Sequence, residues 1–377
     1  PCARSTRSPA PSRTHAATPC ATGAGFLFPP LDRRLGIPDR GASARRARKA
    51  CEANRAGSFE NAAVLFHSLT GLHITAKQVQ LFTERVGAVL AQQRDAATAS
   101  FMALESHPEP PEAPIELLVI TSDGGRVQTL QDDPGERWKE DKIGVVYNAT
   151  PTPEVPGIDY EGPPPLTRSV VATMDSWETL GDHLSTLADQ RGYAHARDKV
   201  FISDGATHIR TLRERGFPDA HFILDWSHAT EHLHQDALAG FGPGPAAEAW
   251  YERQKDRLWT GHLDRFFADL EALGQRRGPP PKKAAPSDPR RILATDLQYF
   301  RTNRAGLDYP AFRQRGWPTG SSIIESTVKQ VGKRVKGTEK LWSLPGVEQT
   351  LQVVTHLIAN DGAWNRFWDA RPLAASA

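Results

Sequence analysis

Three apolar runs in this chain close on an aspartate: Ile115 to Asp123, Lys199 to Asp204 and His221 to Asp225. Each run has the length and apolar content of a buried strand. An acid at a strand's carboxyl end projects into the crevice at the edge of an α/β sheet, where ligands usually bind. Two of the acids sit in the same tripeptide, Ser122-Asp123-Gly124 and Ser203-Asp204-Gly205. The glycine lets the chain turn tightly and leaves the carboxylate accessible. One Asp-Gly alone reads as a common turn; the same tripeptide closing two apolar strands points further. Clustered carboxylates repel one another and call for cations. Mg²⁺ is held by one or two carboxylates together with water and substrate phosphate. Two such ions about 3.5–4 Å apart activate a water and stabilise a leaving 3′ oxygen in phosphodiester cleavage.

That chemistry needs a third carboxylate from elsewhere in the chain. Glu325 is the best placed, following the small-residue turn Thr319-Gly320-Ser321-Ser322 near the start of a helical pattern. Lys329, Lys333, Lys336 and Lys340 follow it at steps of three or four residues. On a continuous helix this spacing puts them on the face that holds Glu325. A carboxylate with a basic stripe behind it suits a metal site lying against a phosphate backbone. The plain alternative is a solvated lysine face beside a surface glutamate.

Asp225 opens a further group, with His228, Glu231, His232 and His234 close behind. His228 and His232 have zinc-ligand spacing, but no cysteine or clear third ligand accompanies them. A role behind the metal ligands, with His228 orienting a carboxylate or touching DNA, ranks above zinc. A helix-capping Asp225 hydrogen-bonded to His228 is an equal alternative.

The elements that must position these residues follow from the pattern. Strands are expected at residues 115–123, 143–150, 168–174, 199–204 and 221–225, with an amphipathic helix before the fourth and a short helix before the fifth. Three strands, then helix, strand, helix, strand is the order of an RNase-H-like mixed sheet, a meander followed by crossovers. Upstream, Ser58 and Gly71 bracket a helix with Phe59, Ala62, Ala63, Phe66 and Leu69 on one face. Thr75 and Gln78 form a capping box for a second helix, with Val79, Phe82, Val86 and Leu90 on its apolar face. Two short helices around a glycine turn fit a helix-turn-helix, in which Lys77, Gln78 and Gln80 face a DNA groove. Any small helical hairpin would look similar. Residues 235–315 read as a helical insertion, and a tryptophan-rich tail closes the chain. The expected divisions are a basic, largely disordered segment (1–56), the helix-turn-helix (57–105), the first part of the core (106–234), the insertion (235–315) and the completion of the core (316–377).

Bulk properties bound the reading. The 377 residues carry a net charge of +2, so total charge does not announce a nucleic-acid binder. Charge is concentrated locally instead, as at Arg40, Arg45, Arg46, Arg48 and Lys49. That run is either a solvated basic segment or a phosphate contact. No apolar run is long enough to cross a bilayer, and the first residues lack a signal's apolar centre. The three cysteines, Cys2, Cys20 and Cys51, make no disulfide framework, so a reducing cytoplasmic setting is expected. The chain opens on Pro rather than Met, as a processed product or a fragment would.

In order, the motifs are SDGGRV, RWKEDKIGVVY, FISDGATHIR, ILDWSHATEHL, GSSIIESTVKQVGKRVKG and WNRFWDAR. The set resembles the DDE transposases of bacterial insertion sequences, most closely the Kra-type family allied to the Mutator superfamily, over roughly residues 57–371. The resemblance implies an RNase-H-like catalytic domain interrupted by a helical insertion before the last acid. It implies Asp123, Asp204 and Glu325 as catalytic metal ligands, with Asp225 and His228 as the superfamily's aspartate-x-x-histidine element. Trp138, Lys139, Glu140 and Lys142 match a recurrent family segment with no assigned role. The implied activity is binding of terminal inverted repeats, cleavage at the ends and joining of 3′ hydroxyls to target DNA, with two Mg²⁺ or Mn²⁺ ions. The implied partner is double-stranded DNA, bound by a homo-oligomer at the bacterial nucleoid, with no membrane. Two features depart from the family: no Cys-x-x-Cys half-site precedes the Pro-Leu-Asp segment, and Gly320-Ser321-Ser322 replaces a more usual Gly-Ser-Gly. Two other readings share these residues, an RNase-H-class nuclease and a non-catalytic DNA-binding protein derived from a transposase.

Overall fold

The computed structural model describes residues 44–106, 108–130, 137–337 and 339–370. Its centre is a five-stranded mixed sheet of order β3-β2-β1-β4-β5, formed by β1 (Leu117–Gln128), β2 (Trp138–Ala149), β3 (Pro165–Thr173), β4 (Asp198–Ser203) and β5 (His221–Leu224). β1, β2 and β3 form an antiparallel meander, while β4 and β5 join β1 in parallel. This is the RNase-H-like order expected from the alternation of strands and helices.

β1 differs from expectation in one respect that matters for the site. It does not end at Asp123 but runs on to Gln128, paired throughout with β2. Asp123 therefore lies inside a strand, just beyond the point where β4 stops accompanying it at Thr121. The two Ser-Asp-Gly tripeptides accordingly adopt different backbones. Gly205 turns the chain with φ +75°, whereas Gly124 continues the sheet opposite Lys142.

Side chains alternate across the sheet. Leu118, Ile120, Val146 and Phe201 pack under α4 (Trp177–Gln190) and α5 (Thr207–Gly216). Leu117, Val119, Val127, Ile143, Val145, Val200 and Ile202 face the opposite side. There they share a core with the helical insertion, α6 (Trp226–Phe241), α7 (Pro245–Trp259), α8 (Leu263–Arg277) and α9 (Pro289–Thr302), and with the helices that follow. After the short α10 (Tyr309–Gln314), α11 (Ser322–Val335) packs across β1 and β2, and α12 (Leu344–Ile358) across β3. Asp123 has the parity of Val119 and Val127, so it points toward α11.

The N-terminal region is more structured than expected. Residues 44–53, expected within a disordered segment, form α1 (Ala44–Ala53), whose Ala44, Ala47, Ala50 and Cys51 are buried. Arg40, Cys2 and Cys20 lie outside the described residues. α2 (Phe59–Thr70) starts at the Ser58 cap and ends at the left-handed Gly71, and α3 (Ala76–Met102) opens with the Thr75–Gln78 capping box. Leu69, expected on the apolar face of α2, is 72% exposed. α3 is 27 residues long, far beyond a short recognition helix. Its buried face meets α12, and Val79, Phe82 and Val86 share a core with Trp364, Phe367 and Trp368 of α13 (Ala363–Asp369). The tryptophan-rich tail is thus a helix that closes the N-terminal core. Gly87 marks the α3–α12 contact, because a Cβ there would lie 1.9 Å from the Gln349 carbonyl oxygen. No helix among the described residues is long and apolar enough to cross a membrane.

Candidate functional site

The parallel register brings the strand-end acids together. Thr121 pairs with Ile202 and Ser203 with Leu224. Continuing each register levels Asp123 with Asp204, and Asp204 with Asp225. Neighbouring strands lie about 4.8 Å apart, so residues 81 positions apart in the chain become neighbours here. The fourth carboxyl arrives from the other side: Glu325 occupies the first turn of α11, which crosses β1.

Each acid has a distinct environment. Asp123 is half-buried and its Oδ1 accepts from the Gly124 N–H at 2.7 Å. Burial raises its carboxyl above the ordinary range; the Gly124 N–H opposes this, Asp204 raises it, His228 opposes and Glu325 raises it again. Asp204 and Glu325 are thus each within electrostatic reach of Asp123. Asp204 Oδ1 accepts from the Ala206 N–H at 2.9 Å, and its backbone oxygen accepts from the Tyr299 hydroxyl at 2.7 Å. Glu325 faces Lys329, one turn on, at 3.3 Å.

Asp225 differs from all of these. It is fully buried and caps α6, with Oδ1 accepting from the His228 N–H at 2.9 Å and the His228 Nδ1 at 3.1 Å. Oδ2 accepts from the Ser321 N–H at the start of α11, and the Trp226 N–H bonds the Thr319 carbonyl at 3.0 Å. Burial alone would raise the Asp225 carboxyl, but hydrogen bonds from His228 and Ser321 hold it below the usual range. The reciprocal effect lifts His228 from 6.5 to about 9, chiefly through its bond to Asp225, against burial and with help from the charges of Asp225, Asp204 and Glu231. At neutral pH an imidazolium therefore stands beside Asp123 and Asp204. The capping reading holds, with Asp225 bonded to His228, and Asp225 also ties β5 to the helix that carries Glu325.

The lysine stripe is shorter than its spacing suggested. α11 ends at Val335, and Lys336 already has extended backbone, with φ −88° and ψ 150°. Only Lys329 and Lys333 continue the Glu325 face. Lys340 instead donates to the Lys333 and Arg334 carbonyls, and Lys336 lies near the buried Asp141. Lys77, Gln78 and Gln80 lie in the first turns of α3, with side chains engaged locally: Gln78 in the capping box, Lys77 with Gln80 at 3.1 Å and Gln80 with Glu84 at 2.7 Å. His228 and His232 do not converge on a zinc site, since His232 Nδ1 turns to Asp296 Oδ1 at 3.0 Å.

The three carboxylates form an all-oxygen donor set suited to a hard divalent cation. A cation between them would offset the burial, and the lesser repulsion from Asp204 and Glu325, that raise Asp123. Their side chains stand short of ligand distance, for no three His, Cys, Asp or Glu among the described residues are grouped to hold a metal ion as they stand. Glu325 is turned toward Lys329.

Several neighbours carry no signal in the sequence. Asp141, in the segment whose role was open, is 1% exposed, and neither of its oxygens has a hydrogen-bond donor. It lies opposite Gly125, where a Cβ would meet Asp141 Oδ1 at 2.5 Å. In the same segment Glu140 Oε2 accepts from the Trp177 indole at 3.0 Å, Lys142 Nζ donates to the Glu140 carbonyl, and Trp138 is 50% exposed. Ser321 and Tyr299 act through a backbone N–H and a hydroxyl reaching across the fold, and no local pattern announces such contacts.

No family model and no curated protein matches the chain. Among solved structures, the Drosophila P element transposase strand transfer complex is similar, with a TM-score of 0.38 and 10% identity over 88% of this chain and 96% of that one.

Proposed function

We propose that this chain is a DDE transposase that cuts DNA at the ends of its element and joins the freed 3′ hydroxyls to target DNA. One observation carries the reading: the parallel register levels Asp123 with Asp204 while α11 brings Glu325 across β1, so that burial, and then the charges of Asp204 and Glu325, raise the Asp123 carboxyl. The ordered motif resemblance to the Kra-type and Mutator-allied transposases supports it. Asp123, Asp204 and Glu325 would hold two Mg²⁺ or Mn²⁺ ions, which when bound supply activation of the attacking oxygen and stabilisation of the leaving one.

The chain's own groups do the rest. Asp225 fixes the start of α11 through Ser321, and with it the approach of Glu325. The His228 imidazolium favours the ionised form of Asp123, the form a cation needs. Lys329 and Lys333 present charge to a phosphate backbone beside the carboxylates. In this reading the first turns of α3 face a DNA groove, with Lys77, Gln78 and Gln80 exchanging their local contacts for DNA. The assigned substrate is double-stranded DNA bearing the element's inverted repeats, bound by a homo-oligomer in the bacterial nucleoid.

The DNA flanking the coding sequence supplies the test substrate. With Mg²⁺ or Mn²⁺ the protein is expected to nick labelled inverted-repeat ends and give joined products. Asp123→Ala, Asp204→Ala and Glu325→Ala should each abolish both steps while retention on a mobility-shift gel persists. Normal cleavage by the Asp204→Ala protein refutes the triad. Cleavage without joined product identifies a nuclease instead, and tight binding with no cleavage under any divalent ion identifies a non-catalytic DNA-binding protein.

A further inference from the structure

α6 carries His228, His232 and Asp236 at successive four-residue steps, so all three lie on one face. His228 belongs to the site described above; the other two face α9. His232 Nδ1 meets Asp296 Oδ1 at 3.0 Å, and its ring stacks on Tyr299 with centroids 4.1 Å apart. One turn further into the insertion, Asp236 is fully buried and neither of its oxygens has a donor. Asp296 is 4% exposed, and its Oδ2 also lacks a donor. These two carboxyls are partners of each other.

Two ionised carboxylates offer each other only lone pairs, and burying both charges without compensation is prohibitive. His232, Asp236 and Asp296 are not grouped to cage a cation either. One proton between the two carboxyls resolves both difficulties. Asp236 then donates to Asp296 Oδ2, and Asp296 keeps Oδ1 for the His232 N–H. Burial first, and the Asp296 charge second, push the Asp236 carboxyl well above its ordinary range, in line with this assignment.

The same face of α9 continues to the catalytic turn. Tyr299, stacked on His232, donates its hydroxyl to the Asp204 carbonyl at 2.7 Å. One turn later Asn303 stands against Gly205, where a Cβ would meet its Nδ2 at 2.5 Å. We infer that Asp236, Asp296, His232 and Tyr299 form a buried positioning relay, in which one proton shared by two carboxyls locks α9 against α6 and thereby fixes the Asp204 turn. These are positioning residues, and none of the four side chains is expected to touch DNA. That the turn belongs to a metal-dependent site rests on the function proposed above; the relay itself does not.

The test therefore uses the full chain without DNA or divalent ions. Infrared spectra of the wild type at neutral pH should contain the carbonyl band of a protonated carboxylic acid. The component due to Asp236 should vanish in Asp236→Asn yet remain in Asp141→Asn, the other buried acid without donors. Hydrogen exchange at the Ala206 amide, which is bonded to Asp204, reports on the turn. Loss of one hydrogen bond should speed it by about 2- to 12-fold in Tyr299→Phe. Asp236→Ala, which leaves Asp296 Oδ2 without a donor, should speed it similarly. Asp236→Asn should keep the wild-type rate, because its amide N–H replaces the acid proton. The relay is overturned if the wild type has no acid band, if Asp236→Asn exchanges as fast as Asp236→Ala, or if Tyr299→Phe leaves Ala206 unchanged. Should Asp236→Ala fail to fold, the loss of the acid band in Asp236→Asn and the exchange rate in Tyr299→Phe still decide. Lost DNA cleavage with an intact relay would count against the function alone.

Discussion

Replacing Asp225 by asparagine changes two atoms' chemistry and no shape. The wild-type carboxylate receives three hydrogen bonds, two from His228 and one from the Ser321 N–H. An amide offers only one accepting oxygen. Whichever way it turns, its NH₂ group faces at least one of those donors. Losing a hydrogen bond to a charged acceptor costs about 1.5–3 kcal/mol, and stranding a buried donor about 1–3 kcal/mol. Removing one partner of a buried ion pair falls in the same range, about 3–5 kcal/mol. The histidine gives an independent measure. Its rise from 6.5 to about 9 corresponds to roughly 3 kcal/mol of coupling before solvent screening. The His228 side chain is 36% exposed, and screening reduces its share to roughly 1–2 kcal/mol. Asp225→Asn should therefore lose about 3 kcal/mol of stability at pH 7.

The sign of the pH dependence follows from the two shifts. His228 has a raised folded value, so its contribution is full below 6.5 and lost as pH rises through about 9. Asp225 has a lowered folded value, so its contribution is present above 3.8 and lost as pH falls through the folded value. The gap between wild type and variant should be widest between about pH 4 and 6.5 and narrow above pH 9. Urea unfolding at several pH values measures the gap, and NMR titration of the imidazole measures His228 directly. A variant as stable as wild type at pH 7, or one whose His228 still titrates near 9, would refute the account of Asp225 as an ionised clamp.

Other predictions separate stability from function. Because Asp123 has a raised carboxyl, its contribution is full below 3.8 and is lost as pH rises through the folded value. Asp123→Asn should thus be somewhat more stable than wild type at pH 7, while losing divalent-dependent DNA cleavage; a loss of stability in urea would contradict the cost of burying an ionised Asp123 beside Asp204 and Glu325. The lysines should divide by position. Lys329→Ala and Lys333→Ala should each reduce the dependence of log affinity for DNA on log salt by about 1. Lys340→Ala should leave that slope unchanged and lower stability by about 1 kcal/mol, as expected for losing its bonds to the end of α11. Equal slopes for all the variants would remove the case for a shortened basic face.

Much of the fold was legible because it depends on local signals. Five apolar runs in the right order gave the sheet, and Ser58, Gly71 and the Thr75–Gln78 box set helix ends in the structure as they do in sequence. The misreadings have physical causes. Lys336 and Lys340 fit a helical spacing, but spacing carries no notice of where a helix ends. α1 read as a basic tail because the alanines that bury it have little apolar signal beside its arginines. α3 looked short because its length is set by packing against α12 and not by any local stop.

The two Ser-Asp-Gly tripeptides carry the same point into the site. Identical in sequence, one runs through a strand and the other turns at a left-handed glycine. The difference lies in the neighbours: β2 continues alongside Asp123, while nothing continues β4 past Ser203. Asp225, level with both, looked like a third equal. Its environment is set by Ser321, 96 residues away, whose N–H completes the donors around its carboxylate. With its lone pairs committed to those donors, Asp225 is the acid of the row least able to receive a cation. It is also the one that holds the helix bringing Glu325, so under the proposed function the choice of Glu325 over the third strand acid as a ligand follows from a single hydrogen-bonded carboxylate.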